Sequence, residues 1–531
     1  MLLINPAQEN FGGMLSRYIP LSIPVALGIL ASYLKKSGAS NVRVVDEEIC
    51  KITAQNLTDH LKGMAKPYII GIGVLTSQAG RAYEIAHICK ETLPDCIVIM
   101  GGIHVTSLPE EPFEAGCVDI VVRGEGEETL RQLYFCLRKG KDWKKIKGIT
   151  FRNKEGKLVN NPDGDLIENI DDLPMFPYEM FSHPKYEMGF ITSARGCPYK
   201  CSYCSQRLLT GLTYRWHSES RIVETLKILI EKYNQKYILF FDDNFSVNKQ
   251  RVIKLCESIV QAGLHEKCSF GVQTRADNLY EDLIPAMKRA NFTTVTFGME
   301  TGVERVAEAM VKDETVAIHQ EKIELCQKHG IKVRLAMIYG FPTETRAERN
   351  ESYRVVKETG AKWVKFNNLT PYPGTGVYAE AKKSGRLNIM PGWANFNSVL
   401  GVTKSIFSTI PLPYVPEGTT EFELKKDLFR RNLQFYLSSK IARRVAKGGR
   451  EGGGWLVLPK LWYLRPKEIF HVSWLALYLG SNLIFSLLPD RLGNVIFSLI
   501  KRGRSIFPPE DIKATSRSFV RAATPNVSEF Y

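Results

Sequence analysis

Cys197, Cys201 and Cys204 fall in one short stretch, Arg195-Gly-Cys-Pro-Tyr-Lys-Cys-Ser-Tyr-Cys-Ser205. Their C-x-x-x-C-x-x-C spacing puts three thiolates on one loop, with no fourth cysteine nearby. A cluster that only carries electrons is usually closed by four cysteines. Three ligands on a four-iron cluster leave one iron able to bind another molecule, and that open position is a place for chemistry. A zinc site would pair two cysteine arms or add histidines, and neither lies close to this loop.

With an aromatic residue, Tyr203, directly before the last cysteine, the triplet resembles the signature of the radical S-adenosylmethionine (SAM) enzymes. The resemblance implies a 4Fe-4S cluster on Cys197, Cys201 and Cys204. Its open iron would chelate the amino and carboxylate groups of SAM, and reduction would cleave SAM to a 5′-deoxyadenosyl radical. Gly196 is expected to allow a tight backbone path around the metals and Arg195 to offset cluster charge. Tyr203 either packs on the adenine ring or shields the cluster from water.

At 531 residues the chain has room for two to four domains. Its 44% hydrophobic and 24% charged composition is that of a folded, globular protein. The N-terminus has no basic region ahead of an apolar stretch, so no secretory signal is expected. The other eight cysteines (Cys50, Cys89, Cys96, Cys117, Cys136, Cys256, Cys268, Cys326) are scattered singly. They read as reduced, buried thiols of a cytoplasmic protein, without a disulfide framework.

Residues 1–140 alternate short β-branched runs (2–5, 42–46, 68–74, 96–102, 120–124) with segments of helical apolar spacing (23–36, 57–64, 82–93, 127–138). This α/β pattern predicts a doubly wound, Rossmann-like parallel sheet with helices on both faces. Such sheets bind ligands at the carboxyl ends of their strands. Candidate binding residues there are Thr76 and Ser77, then Gly101, Gly102 and His104, then Gly124 and Glu125. A generic nucleotide-binding domain fits equally well, although no G-x-G-x-x-G opens the first helix. The series Pro24-x-x-Leu27-Gly28, Gly101-Gly-x-His104 and Gly124-Glu-Gly-Glu127 ahead of the cysteine triplet resembles the cobalamin-binding domain of one class of radical SAM enzymes. The D-x-H-x-x-G motif, whose histidine ligates cobalt from below in many cobalamin proteins, is missing. Asn5-Pro-Ala-Gln-Glu-Asn-Phe-Gly12 fills the expected loop. A bound cobalamin would then lack a lower histidine and give up a methyl group more readily. His104 either approaches the corrin or merely shapes the strand end.

Residues 141–184 read as a linker, with a hairpin at 149–160 turning on Lys154-Glu-Gly156 and a Pro/Asp-rich run after it. Residues 185–400 alternate strands (189–193, 237–241, 269–274, 293–297, 333–338, 363–367) with longer amphipathic helices, which predicts a partial (β/α)6 barrel. Function in such barrels sits at the carboxyl strand ends. By resemblance, the SAM-binding candidates there are Tyr203, Asp242, Asp243, Arg275, Glu300 and Gly340. Asp242 or Asp243 would take the amino group, Arg275 the carboxylate, and Glu300 amino or ribose hydroxyl groups. Gly340 would let backbone approach the adenine. No residue is assigned an acid–base catalytic role.

Residues 401–505 form a basic, apolar, mainly α C-terminal region, and 506–531 a loose tail. Residues 421–505 hold about 16 basic and 6 acidic side chains, roughly +10 of the formal +15. Residues 424–445 have helical spacing with Lys425, Lys426, Arg430, Arg431, Arg443 and Arg444 interleaved. Residues 469–488 carry no charge, but His471, Ser473, Ser481 and Asn482 interrupt them and Pro489 ends them. Peripheral contact of 421–505 with the inner face of the membrane is expected, ahead of internal packing or a true span. Nucleic acid is not expected.

The sequence therefore reads as a cobalamin-dependent radical SAM methyltransferase acting on an unactivated carbon of an apolar, lipid or tetrapyrrole-like substrate, with flavodoxin or ferredoxin as reductant. The alternative is an anaerobic oxidative cyclase of the Mg-protoporphyrin monomethyl ester type. A tRNA methylthiotransferase would need clustered N-terminal cysteines, and the intact triplet argues against a non-catalytic cobalamin sensor.

Overall fold

Strand β1 (Leu2–Asn5) is apolar at every position but its last, which is how a strand reads when both its faces are covered. Strands β2 (Arg43–Asp46) and β3 (Ile69–Gly73) lie parallel on either side of it. Then β4 (Ile97–Gly101) and β5 (Ile120–Val122) extend the sheet in the order β2-β1-β3-β4-β5. Leu2 and Ile4 enter one core with Ile72, Ile85 and Met100, while Met1 and Leu3 enter another with Leu27, Ala31 and Leu133. The sheet is doubly wound, as the alternation predicts. In this order the connections diverge between β1 and β3, and the loops beyond those strand ends flank a ligand crevice. The structure, a computed structural model, describes residues 1–8, 21–361, 363–438 and 477–506.

Strands β6 (Ile149–Arg152) and β7 (Leu158–Asn160) add antiparallel to β5. They are the hairpin that the sequence places in the linker, and the structure makes them the edge of the N-terminal sheet. The physical reason is their apolar content. Ile149 and Phe151 are both buried, and Phe151 meets Trp143 edge-on at 5.1 Å.

The second sheet consists of β8 (Phe190–Ile191), β9 (Tyr237–Phe240), β10 (Ser269–Thr274), β11 (Phe292–Glu300), β12 (Lys332–Tyr339) and β13 (Trp363–Asn368). All pair in parallel and in chain order, which is the open barrel expected. Ile191, Phe240, Val272, Phe297, Leu335 and Phe366 share the core under the outer helices. The alternate positions line the concave face. At the open edge, the side-chain amide of Asn432 donates to Phe366 O (2.9 Å) and accepts from Phe366 N (3.1 Å). Covering an edge in this way blocks further strand addition.

Asn432 sits on the helix Glu421–Ser438, which packs with the helix Asp490–Ile506 around Phe407, Phe422 and Phe497. Two of the expected surface cations are internal here. Lys425 Nζ donates to Ser408 O (2.9 Å) and Ile410 O (2.8 Å) and pairs with Glu421, while Lys426 pairs with Asp490 at 2.9 Å. Among the described residues no helix is long and apolar enough to cross a membrane. Arg443, Arg444, residues 469–476 and the tail from 507 lie outside the described residues.

Candidate active site

The cysteine loop is fastened at its entry. Asp242, just past β9, is buried on the helix side and accepts from Ser193 N (2.5 Å), Ser193 Oγ (2.6 Å) and Ala194 N (3.1 Å). Arg251, equally buried, donates to Ser193 O at 3.0 Å and lies 3.9 Å from Asp242. Asp243 points the other way, accepts from Gly196 N at 2.9 Å and stays open to solvent. Gly196 has φ +88°, and a Cβ there would strike the carbonyl of Thr213, so only glycine fits before Cys197. The sequence offers Asp242 and Asp243 as equals for the SAM amino group. In the structure Asp242 is consumed as a brace and Asp243 faces the loop. Asp242→Ala leaves two backbone N–H groups and the Ser193 hydroxyl without their acceptor and takes the counter-charge from buried Arg251, so the protein should lose about 3–5 kcal/mol of stability, read by denaturant unfolding.

Arg275 reaches the loop from β10. Its guanidinium is 3.7 Å from Cys201 Sγ, lies flat on the Tyr199 ring at 3.6 Å, and is gripped by Asp277 at 3.0 and 2.8 Å. The Tyr199 hydroxyl accepts from Asn278 at 2.6 Å. With Asp277 holding it, Arg275 stands as the cation beside the thiols, not as a free partner for a SAM carboxylate. Glu314 supports this wall, accepting from Ala276 N (2.7 Å) and Asp277 N (3.1 Å) and forming an ion pair with Lys312 Nζ at 2.8 Å. Burial opposes the charge on Glu314, but His319 and Lys312 outweigh it and hold the carboxyl well below the usual range. Glu300, at φ +67°, accepts from the Tyr203 hydroxyl at 3.3 Å, which puts the predicted pair Tyr203 and Glu300 together. Gly340 does not join them. Its missing Cβ makes room for Leu424 of the C-terminal helix, whose side chain a Cβ would approach to 2.9 Å, so the glycine serves packing.

The donor set fits a 4Fe-4S cluster. Burial raises all three thiols, Cys204 to about 11, so they need a strong cation to ionise, and Arg275 supplies only part of that. Among the described residues no three His, Cys, Asp or Glu side chains converge as a single-ion site requires.

On the N-terminal sheet, Thr76 and Ser77 form a turn after β3, and Gly102 (φ +110°) closes against Val74 O, which a Cβ would approach to 2.8 Å. Gly101 ends β4, and Gly124 N donates to Thr106 Oγ1 at 3.0 Å. These loops gather at one edge, where Leu75 is exposed. His104 is fully buried. Its Nε2 lies 3.2 Å from the Tyr83 hydroxyl and 3.4 Å from Glu111, and Trp393 meets its ring at 5.2 Å. It therefore shapes the strand end and does not reach toward a corrin. Glu125 is likewise engaged, accepting from Arg215 at 2.7 and 2.9 Å and from Arg195 at 3.3 Å, while Arg195 also pairs with Glu127 at 2.7 Å. Burial disfavours ionised Glu125, but the Arg215 hydrogen bonds and the Arg195 charge prevail and keep its carboxyl below the ordinary range. The strand end expected to touch cobalamin is thereby bolted to Ala194–Arg195 and Arg215–Trp216, two short strands that pair antiparallel on either side of the cysteine loop.

A doubly wound domain is thus clamped by ion pairs to a (β/α)6 barrel that carries a three-cysteine loop. Residues 191–356 match the radical SAM superfamily and residues 21–134 match the B12 binding domain. An uncharacterized methyltransferase of Pyrococcus horikoshii is 33% identical over 424 residues, 79% of this chain and 88% of that protein. The anaerobic magnesium-protoporphyrin IX monomethyl ester cyclase of Rubrivivax gelatinosus is 26% identical over 72% of this chain and 69% of its own length. A solved structure of the radical SAM methyltransferase TsrM from Kitasatospora setae, with cobalamin and a 4Fe-4S cluster bound, shares the fold. Its TM-score is 0.62 at 19% identity, over 80% of this chain and 84% of that one. The chain belongs to the radical SAM enzymes with a B12-binding domain, and its cofactors are a 4Fe-4S cluster, SAM and cobalamin.

Proposed function

We propose that the protein transfers a methyl group to an unactivated carbon of a largely apolar small molecule. The observation that carries this reading is the clamp of Glu125 on Arg195 and Arg215, because it holds the cobalamin loops and the cysteine loop at one opening. When bound, the cluster supplies the electron that splits SAM, and cobalamin supplies the methyl group. The chain's own part is positional. Cys197, Cys201 and Cys204 hold the cluster and Arg275 offsets its charge. Asp243, Tyr203 and Glu300 border the place for SAM, and the turns at Thr76, Ser77, Gly101, Gly102 and Gly124 cradle the corrin. A flavodoxin or ferredoxin serves as reductant. Mass analysis of a lipid or tetrapyrrole acceptor, after incubation with anaerobically reconstituted enzyme, should show the gain of one CH2 unit. Loss of hydrogen with ring closure would instead establish the cyclase reading, which the similarity to the Rubrivivax enzyme keeps in view.

We further propose that the C-terminal helices rest on the inner face of the membrane. Leu477, Ile484, Leu487, Leu492, Val495 and Leu499 are all exposed, Leu487 by 69%, with exposed Arg491 beside them. An apolar ridge flanked by cations suits an anionic lipid surface. The protein should sediment with phosphatidylglycerol vesicles, and Leu487→Glu with Leu499→Glu should release it. Equal recovery of the double variant in the pellet would refute the contact.

A further inference from the structure

The core of the N-terminal sheet contains two residues that follow the barrel strands. Trp393 and Phe396 are buried in it with Leu2, Ile4 and Met100, and their own rings meet edge-on at 4.6 Å. A domain ordinarily closes its own core. Here the chain returns after β13 to finish it.

The returning segment, residues 391–396, stands behind two of the turns proposed for the corrin. At the turn Thr76–Gln78 it meets Gly80 backbone to backbone. A Cβ on Gly80 would come within 3.0 Å of Gly392 Cα, and one on Gly392, at φ +64°, within 2.6 Å of Gly80 Cα. Behind Gly101 and Gly102 it meets His104. Trp393 packs on the His104 ring at 5.2 Å, and its indole N–H donates to Glu111 Oε1 at 2.7 Å, across 282 residues of chain. The same oxygen accepts from the Tyr83 hydroxyl at 2.9 Å and lies 3.4 Å from His104 Nε2. Burial disfavours the Glu111 carboxylate, but His104, Trp393 and Tyr83 prevail and hold its carboxyl below the ordinary range. The indole therefore donates to a charged acceptor, which makes the bond a strong one.

The other end of the segment is tied to the mouth of the barrel. Asn368, the last residue of β13, donates from its backbone to Ser398 O at 2.9 Å and from its side chain to Asn397 O at 3.1 Å. Asn395 braces the middle, donating to Asn388 O and accepting from Met390 N, both at 2.9 Å. Residues 391–398 thus form a short strap from a barrel strand end to the back of the corrin turns.

We infer that this strap seats the cobalamin, with Trp393 and Gly392 holding the turns at Thr76–Ser77 and Gly101–Gly102 in the shape the corrin needs. Trp393 is a positioning residue and acts through Glu111 and His104. Turns fixed before binding spare the ligand the cost of ordering them, so a residue on the barrel side of the chain sets corrinoid affinity. The inference rests on the assignment of those turns to the corrin. It is independent of the Glu125 clamp, which ties a different strand end to the cysteine loop.

The test titrates hydroxocobalamin into full-length protein reconstituted without oxygen, and visible absorption reads the affinity. Trp393→Phe keeps a ring and loses the N–H. It should weaken corrinoid binding about tenfold, the low end for one hydrogen bond to a charged group, with iron content and SAM cleavage unchanged. Gly80→Ala pushes the strap off the other turn, removes no bond, and should weaken binding as well. The double variant Trp393→Phe, Glu111→Ala should lose no more affinity than Glu111→Ala alone, because both changes break one contact. Cys96→Ala is the control for plain loss of stability. Cys96 is buried in the same core but precedes β4, at the end of the strand away from the turns. Its variant should melt earlier and bind hydroxocobalamin as the wild type does. The inference is overturned if Trp393→Phe or Gly80→Ala, folded, binds like the wild type, or if Cys96→Ala weakens binding as much as they do. Wild-type protein that takes up no corrinoid overturns the assignment of the turns as well, so the two failures are told apart.

Discussion

Cys201→Ala, purified and reconstituted without oxygen, is expected to hold no four-iron cluster and to form no 5′-deoxyadenosine from SAM under reductant. Three ligands already leave one iron open, and a second open corner removes the tether that fixes the cluster in the loop. No other cysteine can step in. Cys256, Cys268 and Cys326 are buried with the helix-side core, and Cys50, Cys89, Cys96, Cys117 and Cys136 lie in the N-terminal domain. The folded chain itself should barely notice the change, because Cys201 sits half-buried on a loop and its side chain contacts chiefly Arg275. Cys326→Ala gives the opposite result. It removes a fully covered group from the helix Val316–Lys328, so it should cost about 1 kcal/mol or more of stability and leave cluster content intact. Iron and sulfide analysis, visible absorption and thermal unfolding of the two variants separate the roles. A Cys201→Ala protein that still cleaves SAM would remove the basis for the cluster assignment.

What sequence could convey about this fold was mostly periodic. Continuous apolar runs such as Leu2–Ile4 announce a strand covered on both faces, and the barrel strands follow from the same rule. The cysteine triplet was legible because its chemistry lies in spacing along one loop. Asp242 and Asp243 were half legible. With Phe240 buried and Phe241 exposed, the two-residue strand period already turns Asp242 toward the helices and Asp243 toward the loop. Partners distant in sequence were not legible at all. Glu125 reads as a strand-end carboxylate for a ligand, yet its partners are Arg195 and Arg215, 70 and 90 residues on. Lys312 and Glu314 belong to no motif of the sequence, and only the fold shows them buried behind Arg275. Gly340 offers the space of a missing Cβ, but space has no address in a sequence, and Leu424 occupies it. Lys425 fails likewise, since a basic residue at helical spacing gives no sign that carbonyls of a distant loop surround its amine.

Glu125→Ala should separate the two half-reactions. Arg215 is only 8% exposed and its carboxylate partner 7%, so deletion strands a buried guanidinium and should cost about 3–5 kcal/mol. Arg195 keeps Glu127, so the cysteine loop retains one tie and the cluster should still assemble and cleave SAM. What loosens is the distance between the corrin loops and the barrel mouth. A misplacement of about 1 Å costs roughly a hundredfold in a positioned reaction. Methylated product per 5′-deoxyadenosine should therefore fall by about that factor while SAM cleavage continues. Glu128→Ala, on the helix Glu127–Arg138 that follows Glu125, is the control. Glu128 pairs with Arg131 on the surface, where such bridges contribute about 0–1 kcal/mol, and the product ratio should not change. The same clamp sets an acid limit. The Glu125 carboxyl is held below its ordinary value of 4.5, so its stabilisation is complete above that pH and is lost as pH falls through the depressed native value. Acid unfolding of the native protein should include this step, and Glu125→Gln should lack it, having given up the stabilisation at every pH. If Glu125→Ala lowers SAM cleavage and methyl transfer in equal proportion, the clamp positions only the cluster, and the two cofactors are aligned by contacts other than this one.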